Sequence, residues 1–443
     1  MYSIYLHIPF CIHRCAYCDF NTYAGQETMI PAYVDALCKE IEFVGSRFPS
    51  PIGRGGRGEG EVHTIFFGGG TPSLLSPPQF DSIMESIRAA FALTADAEIT
   101  IEANPETVSL EDLRGLRRIG INRISFGVQS THREELRTLE RTHDFLDVIE
   151  AVSGARKAGF DNLNLDLIYG LPEQSLRTWQ ITVKRTLDLH PEHISAYALT
   201  LEHGTPFGRW ASKGLLPIPD PDLAAEMYEW ASETLEANGY VQYEISNWAK
   251  LKAEGRRMKD EMPTNVSSSF SIHPSSFVCK HNLQYWRGLP YLGFGAGAHG
   301  YANGVRCSNV LRIKTYIERL TNYEMRGTKY EFPLAPATVN HHRQSLRDDM
   351  SEFMMTGLRL TREGVSEEEF QARFGLSLRE AYGNEIEELL KLGLIEWADD
   401  SPLPLALSGA SAKSKRGEGI GVRARLTRRG RLLGNQVFMR FVG

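Results

Sequence analysis

The sequence predicts an α/β fold in which six strand–helix units form a partial barrel, (β/α)6, and a small α+β domain follows. In the first half of the chain, short apolar runs rich in β-branched residues alternate with segments of helical period. Such alternation is typical of parallel βαβ units. The last third has helix-like segments followed by strand-like ones, and 443 residues are too many for one ordinary core.

Each predicted element of the barrel is a short segment with one clear period. The predicted strands span residues 3–8, 63–67, 98–102, 122–126, 162–168 and 193–199. The predicted helices between them span residues 30–48, 78–91, 110–119, 145–157 and 175–189. The spacing therefore favours an open or partial barrel of six units over a closed eight-fold one.

The rest of the chain is predicted to contain a helix over 222–237, two helices over 367–374 and 378–392, and strands at 394–397 and 435–442. Two short helices followed by a β-hairpin resemble a winged-helix arrangement. Polar or glycine-rich composition predicts loops over 49–60, 250–277 and 401–421. The expected domains are 1–210 for the barrel, 211–310 for an extension and 311–443 for a helical, winged-helix-like domain.

Composition excludes several classes of protein. The chain is 42% hydrophobic, carries a net charge of −6 and has six cysteines. This charge gives no general attraction to nucleic acid or anionic membranes, and no apolar run approaches the ~18 residues that span a bilayer. The start has no basic leader or small-residue cleavage site. We therefore expect a cytoplasmic protein without a membrane span or a disulfide framework.

Three of the cysteines, Cys11, Cys15 and Cys18, form a loop motif just after the first predicted strand. In parallel barrels the functional loops gather at that end of the strands. Three thiolates at this spacing can hold three corners of a cubane cluster, and no fourth cysteine lies nearby, so one iron would be open to an exogenous chelate. The alternatives are a zinc site completed by His7 or His13 and purely structural cysteines.

Further glycine and polar residues stand where other predicted strands end. Residues 68–71, Gly-Gly-Gly-Thr, follow the second strand, where glycines let the backbone approach a ligand and expose N–H groups; a tight turn is the alternative. Glu102 and Gln129 end the third and fourth strands, and Arg141 and Asp166 follow further on. Singly, each is typical of a hydrogen-bonding residue at a barrel mouth. Together they predict a ligand site.

The three cysteines, with Tyr17 before the third, resemble the signature of the radical SAM superfamily. The resemblance implies a [4Fe–4S] cluster whose open iron binds the amino and carboxylate groups of S-adenosylmethionine (SAM). It also implies that the glycine turn holds the methionine end of SAM, and that any chemistry is radical chemistry.

Four motifs resemble, more narrowly, the oxygen-independent coproporphyrinogen oxidase group of porphyrin biosynthesis: Tyr-Leu-His-Ile-Pro-Phe-Cys from residue 5, Gly-Gly-Gly-Thr-Pro, Gly-Val-Gln, and Asp-Leu-Ile-Tyr-Gly-Leu-Pro. The resemblance implies that one SAM contacts Tyr5, Gly69 and Glu102. It implies a second position, in the true oxidase, lined by Tyr17, Gly70, Thr71, Gln129, Arg141 and Asp166.

Two departures from the oxidase point to its HemW-type branch, whose members are regarded as haem chaperones. Phe20 stands where the oxidase has a further cysteine, and only four residues precede Tyr5, where the oxidase has a long arm. The branch also carries an HNxxYW motif, found here at residues 281–286. The resemblance implies haem as cargo, apo-haemoproteins as recipients and no oxidase activity. The decarboxylating oxidase is the second candidate, and no catalytic residue is predicted.

The haem site is expected around His281, Tyr285 and Trp286, because haem iron needs an axial donor and the macrocycle an aromatic-walled site. The alternative is that His281 only holds a loop against the barrel. A basic cluster beside the possible winged helix gives a distant alternative, a DNA-binding protein; a solvated wing face is favoured over it. This cluster comprises Lys413, Lys415, Arg416, Arg423, Arg425, Arg428, Arg429 and Arg431. A homodimer is left open.

Overall fold

The structure, a computed structural model, describes residues 1–48, 60–251, 277–322, 330–399 and 422–442. Contacts divide the chain into two units. The first comprises Met1–Asn238, Cys279–Tyr285 and Leu289–Gln344, and the second Gly239–Val278, Trp286–Gly288 and Ser345–Gly443. Apart from their ends, the three predicted loops lie outside the described residues, as do the first three members of the basic cluster, at 413, 415 and 416.

The strands and helices of the described residues are as follows. The strands are β1 (Tyr2–Ile8), β2 (Phe10–Cys11), β3 (Tyr23–Ala24), β4 (Glu61–Gly69), β5 (Ala92–Ala103), β6 (Arg123–Gln129), β7 (Leu163–Tyr169), β8 (His193–Ala198), β9 (Tyr240–Glu244), β10 (Asn247–Lys250), β11 (Tyr291–Phe294), β12 (His299–Ala302), β13 (Val305–Asn309), β14 (Thr338–Arg343), β15 (Val365–Ser366), β16 (Ile395–Asp399) and β17 (Val422–Leu426). The α-helices are α1 (Ile30–Gly45), α2 (Pro77–Ala90), α3 (Leu110–Ile119), α4 (Arg133–Thr138), α5 (Phe145–Lys157), α6 (Leu176–Asp188), α7 (Pro206–Ser212), α8 (Pro221–Ala237), α9 (Lys280–Trp286), α10 (Ile313–Thr321), α11 (Leu346–Gly357), α12 (Glu367–Phe374), α13 (Leu378–Lys391), α14 (Arg428–Leu432) and α15 (Gly434–Phe438).

The sheet of the first unit confirms the predicted partial barrel. Its strands lie in the order β14-β13-β12-β11-β1-β4-β5-β6-β7-β8. From β11 through β8 every neighbouring pair is parallel, whereas β11 to β14 pair antiparallel. All six predicted barrel strands are present, and helices connect them in sequence. The carboxyl ends of these strands therefore meet at one edge, where a site is expected.

Alternation along β1 decides which residues face the helices and which face the inside of the barrel. Ile4, Leu6 and Ile8 are fully buried apolar residues. The intervening Ser3 and Tyr5 share the opposite face with their partners on β4, and the Ser3 and Thr64 hydroxyls lie 2.6 Å apart. This face therefore carries polar groups, and the buried Ser3 and Thr64 hydroxyls satisfy each other by a hydrogen bond.

Local capping explains why the barrel helices end close to the predicted positions. Ser109 accepts a hydrogen bond from the Asp112 amide at 3.1 Å, and Asp112 in turn accepts one from the Ser109 amide. This capping box begins α3, and Gly120, in the left-handed region at φ 107°, ends it. The predicted helix over 110–119 is confirmed residue for residue.

The second unit has its own apolar core, which includes Met354, Phe370, Ile386 and Leu426. Its sheet has the order β15-β17-β16, and helices α12 and α13 precede the antiparallel pair β16–β17. This order of elements confirms the predicted winged-helix-like arrangement. Among the described helices of the chain, none has the length and apolar character that crossing a bilayer needs.

The strand predicted over 435–442 is wrong, because residues 435–438 belong to helix α15 and residues 439–442 form no strand. Val437 and Phe438 in this helix, and Phe441 just past it, are buried in the apolar core of the second unit. The second strand of the β16–β17 pair is instead Val422–Leu426. A short apolar run does not distinguish a strand from a helical turn by sequence alone.

The expected three-part division of the chain stays a prediction. The structure joins residues 289–310 to the first unit because β11 pairs with β1, for example Tyr5 with Gly293. Residues 211–238, which include α8, also belong to the first unit.

Candidate cluster and cofactor site

A cavity of about 520 Å³ opens at the carboxyl ends of the barrel strands. All three cysteines of the motif line it. Eight of the nine residues implied to contact SAM also line it: Tyr17, Gly69, Gly70, Thr71, Glu102, Gln129, Arg141 and Asp166. The ninth, Tyr5, is not among the lining residues. Positions far apart in sequence are thus brought to one place by the parallel sheet.

The cysteine loop is held at both ends by backbone pairing. Strand β2 ends at Cys11 and pairs with β3, with Cys11 opposite Ala24. Inside the loop the Cys18 amide donates to the Cys15 carbonyl at 3.1 Å. The Asn21 side chain donates to the Ala296 and Leu311 carbonyls, each at 3.0 Å. These contacts anchor the loop at both of its ends.

Each thiol of the motif contacts at least one polar side chain. Thr71 Oγ1 lies 3.6 Å from Cys11 Sγ, Arg141 Nη1 3.8 Å from Cys15 Sγ, and Thr22 Oγ1 4.0 Å from Cys18 Sγ. Burial raises the pKa of the Cys11 and Cys18 thiols. Donors aimed at sulfur stabilise a metal-bound thiolate, which offsets the cost of its burial.

The donor set fits a cubane cluster better than zinc. A zinc site gathers its ligands around one ion, and no three His, Cys, Asp or Glu side chains do so within the residues the structure describes. In a cubane each cysteine binds a different iron, so the thiols need not converge. His7 is not free to ligate either, because its Nε2 donates to the Asn21 carbonyl at 2.9 Å and its Nδ1 accepts from Tyr5.

The glycine turn at the end of β4 is needed for close packing. A Cβ on Gly69, at φ 110°, would lie 2.6 Å from the His7 ring, and one on Gly70 would lie 2.6 Å from the Phe10 carbonyl oxygen. The Gly70 amide donates to the Ile8 carbonyl at 2.8 Å. The turn is therefore tight, and Gly69 and Gly70 also line the cavity, whereas their contact with a ligand stays a prediction.

Two of the four carboxylate residues that line the cavity, Glu102 and Asp166, lie near each other. Glu102 accepts a hydrogen bond from the Gly69 amide at 3.1 Å, and its pKa is raised to about 7 by burial and by the nearby Asp166. Asp166 accepts from Ser125 Oγ at 2.7 Å and Asn164 Nδ2 at 2.8 Å. A pair of carboxyl groups in this setting favours a bound cation, which would offset their mutual repulsion.

Arg141 connects the cysteine loop to the ends of the strands. Its Nη2 donates to Asn104 Oδ1 at 2.7 Å and to the Gly127 carbonyl at 2.9 Å. Its Nε is buried and has no hydrogen-bond partner among the described residues. Gln129 has φ 64°, the left-handed region that a non-glycine residue rarely adopts. An unpaired donor and a strained strand end are both typical of ligand sites.

Sequence reasoning missed Asn104 and Ser125, which also line the cavity. Asn104 stands two residues past Glu102, just beyond the end of β5, so its strand-end position was the available signal. Ser125 lies in the interior of β6 and became recognisable only through its hydrogen bond to Asp166.

Tyr5 lies behind the glycine turn. Its hydroxyl donates to His7 Nδ1 at 3.0 Å, and a Cβ on Gly68 would lie 3.1 Å from its ring. Because His7 Nε2 donates to the Asn21 carbonyl, Tyr5 and His7 form a chain that ends on the cysteine loop. The contact with SAM implied for Tyr5 stays a prediction, and the structure gives Tyr5 this supporting position.

The HNxxYW motif forms α9 and lies away from the cavity. His281 is only 1% exposed and stacks against Phe66 with ring centroids 5.0 Å apart. Its Nδ1 lies 2.8 Å from Thr64 Oγ1 and its Nε2 lies 2.9 Å from Tyr285 Oη. Burial lowers its pKa to about 3. The role of His281 in haem binding stays a prediction, and this geometry favours the alternative that it holds α9 against the barrel.

The neighbours of the motif are also engaged. Cys279 is fully buried, with its Sγ 3.6 Å from Glu98 Oε1. Lys280 pairs with Asp96 at 2.8 Å. In the second unit, Arg287 forms a two-point pair with Glu363, and the Arg359 guanidinium lies 4.3 Å from the centre of the Trp286 ring. Side chains that could ligate haem iron or pair with a propionate are thus present around the motif, but each already contacts another residue of the protein.

Three arginines of the basic cluster form hydrogen bonds to other residues of the second unit. Arg425 Nε lies 2.8 Å from Glu396 Oε1, and Arg431 Nη1 donates to Gln242 Oε1 at 2.8 Å. Arg429 contacts the Leu392 carbonyl at 3.4 Å. These contacts favour a structural role for the cluster, and the DNA-binding alternative has no further support from them.

The chain is similar to known radical SAM proteins in its family profiles and in its fold. The Radical SAM superfamily profile matches residues 5–185, and the HemN C-terminal domain profile matches residues 344–401. In fold, the chain is similar to coproporphyrinogen III oxidase (HemN) from Escherichia coli, described as a radical SAM enzyme. The TM-score is 0.72 at 24% identity, over 99% of this chain and 89% of that one.

Relatives found by sequence identify the family more narrowly than the fold does. The chain is 35% identical to heme chaperone HemW of Bacillus subtilis over the full length of both proteins. It is 39% identical to heme chaperone HemW of Escherichia coli over 67% of this chain and 69% of that one, and 34% identical to that of Haemophilus influenzae over 90% and 92%. With the cysteine loop and the strand-end residues gathered in one cavity, these similarities show that the chain belongs to the HemW family of radical SAM proteins.

Proposed function

We propose that this protein is a cytoplasmic haem chaperone, which binds haem and delivers it to apo-haemoproteins. It binds a [4Fe–4S] cluster through Cys11, Cys15 and Cys18, and SAM in the adjoining cavity. The observation that carries the proposal is the convergence of three thiols and eight strand-end residues on one cavity. The haem function is inferred from the relatives, which are named heme chaperones.

The cysteine loop supplies three of four cluster ligands. When bound, such a cluster supplies a single electron to SAM at its open iron. The protein's own part is to hold the thiolates and to aim Thr71, Thr22 and Arg141 at the sulfurs. These contacts stabilise negative charge on the thiolates and raise the reduction potential of the site.

The cavity residues would bind SAM by charge and backbone hydrogen bonds. The Glu102 carboxylate suits an ammonium group, and Asp166 beside it adds negative charge for a cationic ligand. The tight turn at Gly69 and Gly70 brings backbone to the cavity wall without side chains. Arg141 Nε, which is unpaired among the described residues, is available to a carboxylate or hydroxyl oxygen.

The decarboxylating oxidase remains the second candidate. The similarity to the Escherichia coli oxidase supports the shared fold, not the activity, since identity is 24%. Phe20, in place of the oxidase's further cysteine, is 63% exposed at the cavity. An apolar side chain there cannot ligate metal or move a proton, which favours the chaperone.

The test uses anaerobically reconstituted protein. We expect about four iron and four sulfide per chain, as a cubane requires, a Soret band on adding haem, and transfer of that haem to apo-myoglobin as a model acceptor. A mixture without the protein measures spontaneous transfer. Protein that binds no haem would contradict the chaperone proposal. Catalytic formation of protoporphyrinogen from coproporphyrinogen III would establish the oxidase instead.

A further inference from the structure

The mouth of the cavity carries large apolar side chains that water can reach. Ile12 and Phe20, in the cysteine loop, are each 63% exposed, and Tyr197 at the end of β8 is 41% exposed. Phe20 and Tyr197 line the cavity itself. Single exposed apolar residues are ordinary, but several around one cavity mark a surface that binds an apolar partner.

The same mouth holds an imidazole and a guanidinium. His13 and Arg14 both line the cavity. Half of the His13 side chain is exposed, and its Nε2 lies 3.2 Å from Glu140 Oε2. Arg14 Nη2 lies 3.4 Å from the Phe20 carbonyl oxygen. An axial donor, a cation and an aromatic face are the three things that a haem with anionic propionates requires.

Energies distinguish His13 from His281 as an axial ligand. The pair of His13 with Glu140 is exposed to water, and such exposed pairs contribute little to stability. Iron can therefore displace Glu140 at little cost. His281 would have to give up two hydrogen bonds inside the protein, which leaves their partners unsatisfied. It would also have to leave its packed position, since it is almost fully buried.

We propose that haem binds across the mouth of this cavity, with His13 Nε2 as its axial ligand. Phe20, Ile12 and Tyr197 contact the macrocycle, and Arg14 pairs with a propionate. The inference rests on the proposed haem function, because it states where the cargo binds. Ligation breaks the contact of Nε2 with Glu140: solvent takes the proton from Nε2 and returns one to Nδ1, so that the imidazole stays neutral in its other tautomer. The freed Nε2 lone pair then forms the bond to iron without any change in oxidation state.

The experiment titrates haem into reconstituted wild type, His13→Ala and His13→Gly, following the Soret band. We expect His13→Ala to weaken affinity by about tenfold or more, since even loss of a ligand's supporting partner costs 10- to 100-fold. Added imidazole should restore the Soret position in His13→Gly. The matched control is His342→Ala, which removes an exposed histidine on β14 and should bind haem like wild type.

Phe20→Asp tests the apolar contact separately and should weaken affinity in the same direction, because it puts a charge against the macrocycle. Iron and sulfide are measured in every variant; if one loses its cluster, wild type stripped of cluster is its reference. Wild type that binds no haem would refute the haem function itself. Wild type that binds haem, with His13→Ala and Phe20→Asp unchanged in affinity and spectrum, would refute only this site.

Discussion

Replacing Glu102 by Gln should stabilise the cluster-free protein at pH 8 while weakening its binding of SAM. The carboxyl lines the cavity beside Asp166, and burial raises its pKa to about 7. Gln has nearly the same shape and keeps an oxygen to accept the Gly69 amide. The substitution therefore removes the charge and little else.

The magnitude follows from the shift in pKa. Moving the pKa of Glu102 from 4.5 in the unfolded chain to about 7 corresponds to about 3 kcal/mol, an upper limit because water enters the cavity. Below pH 4.5 Glu102 is protonated in both the folded and the unfolded wild-type chain, so wild type and Glu102→Gln should be equally stable. Between pH 4.5 and 7 the unfolded chain loses its proton first, so wild type loses stability as the pH rises. Above pH 7 Glu102→Gln should keep the full difference in unfolding free energy over wild type.

Urea unfolding of both cluster-free proteins at pH 5, 6, 7 and 8 measures the difference. Glu150→Gln, an exposed position on α5, is the matched control for the substitution. SAM affinity of the reconstituted proteins should fall in Glu102→Gln, because a neutral amide attracts an ammonium group less strongly. A stability difference independent of pH would refute the reasoning, since it would mean that Glu102 is not desolvated.

Three other outcomes are expected. Cys11→Ala should lose the cluster, read as iron and sulfide content, whereas Cys38→Ala on α1 should keep about four of each. Gly69→Ala should cost about 1–3 kcal/mol by urea unfolding, because φ is 110° and the His7 ring would clash; Gly159→Ala, with similar φ but open space, should cost less. With SAM and a reductant, the protein should yield no protoporphyrinogen from coproporphyrinogen III, and product at catalytic turnover would contradict this.

Much of the fold and the site could be predicted because both depend on short-range patterns. The period of the apolar residues identified every barrel strand, and the Ser109 cap and Gly120 fixed the ends of α3. Parallel strands bring their carboxyl ends to one edge, so polar residues at strand ends had to converge. Glu102 and Asp166 could therefore be placed together although 64 positions separate them.

The errors and gaps have a common cause, because they depend on contacts remote in sequence. Whether residues 435–442 form a strand or a helix depends on the core that covers them. Tyr5 stands in the motif that ends at Cys11, which lines the cavity, but alternation along β1 turns Tyr5 toward His7. The sequence shows that His281 has the chemistry of a ligand, whereas only the packing shows that both ring nitrogens are engaged.

His281→Gly should also reduce haem binding, but for a different reason from His13→Gly. Thr64 Oγ1 donates to Ser3 and so accepts from His281 Nδ1, which joins α9 to β1 and β4. Losing this link leaves buried polar groups unpaired, at about 2–4 kcal/mol, and loosens the strands whose ends carry the cysteine loop and glycine turn. Imidazole should then restore the Soret band in His13→Gly but not in His281→Gly, whose urea midpoint should fall. Rescue of His281→Gly alone would make His281 the ligand and contradict the assignment to His13.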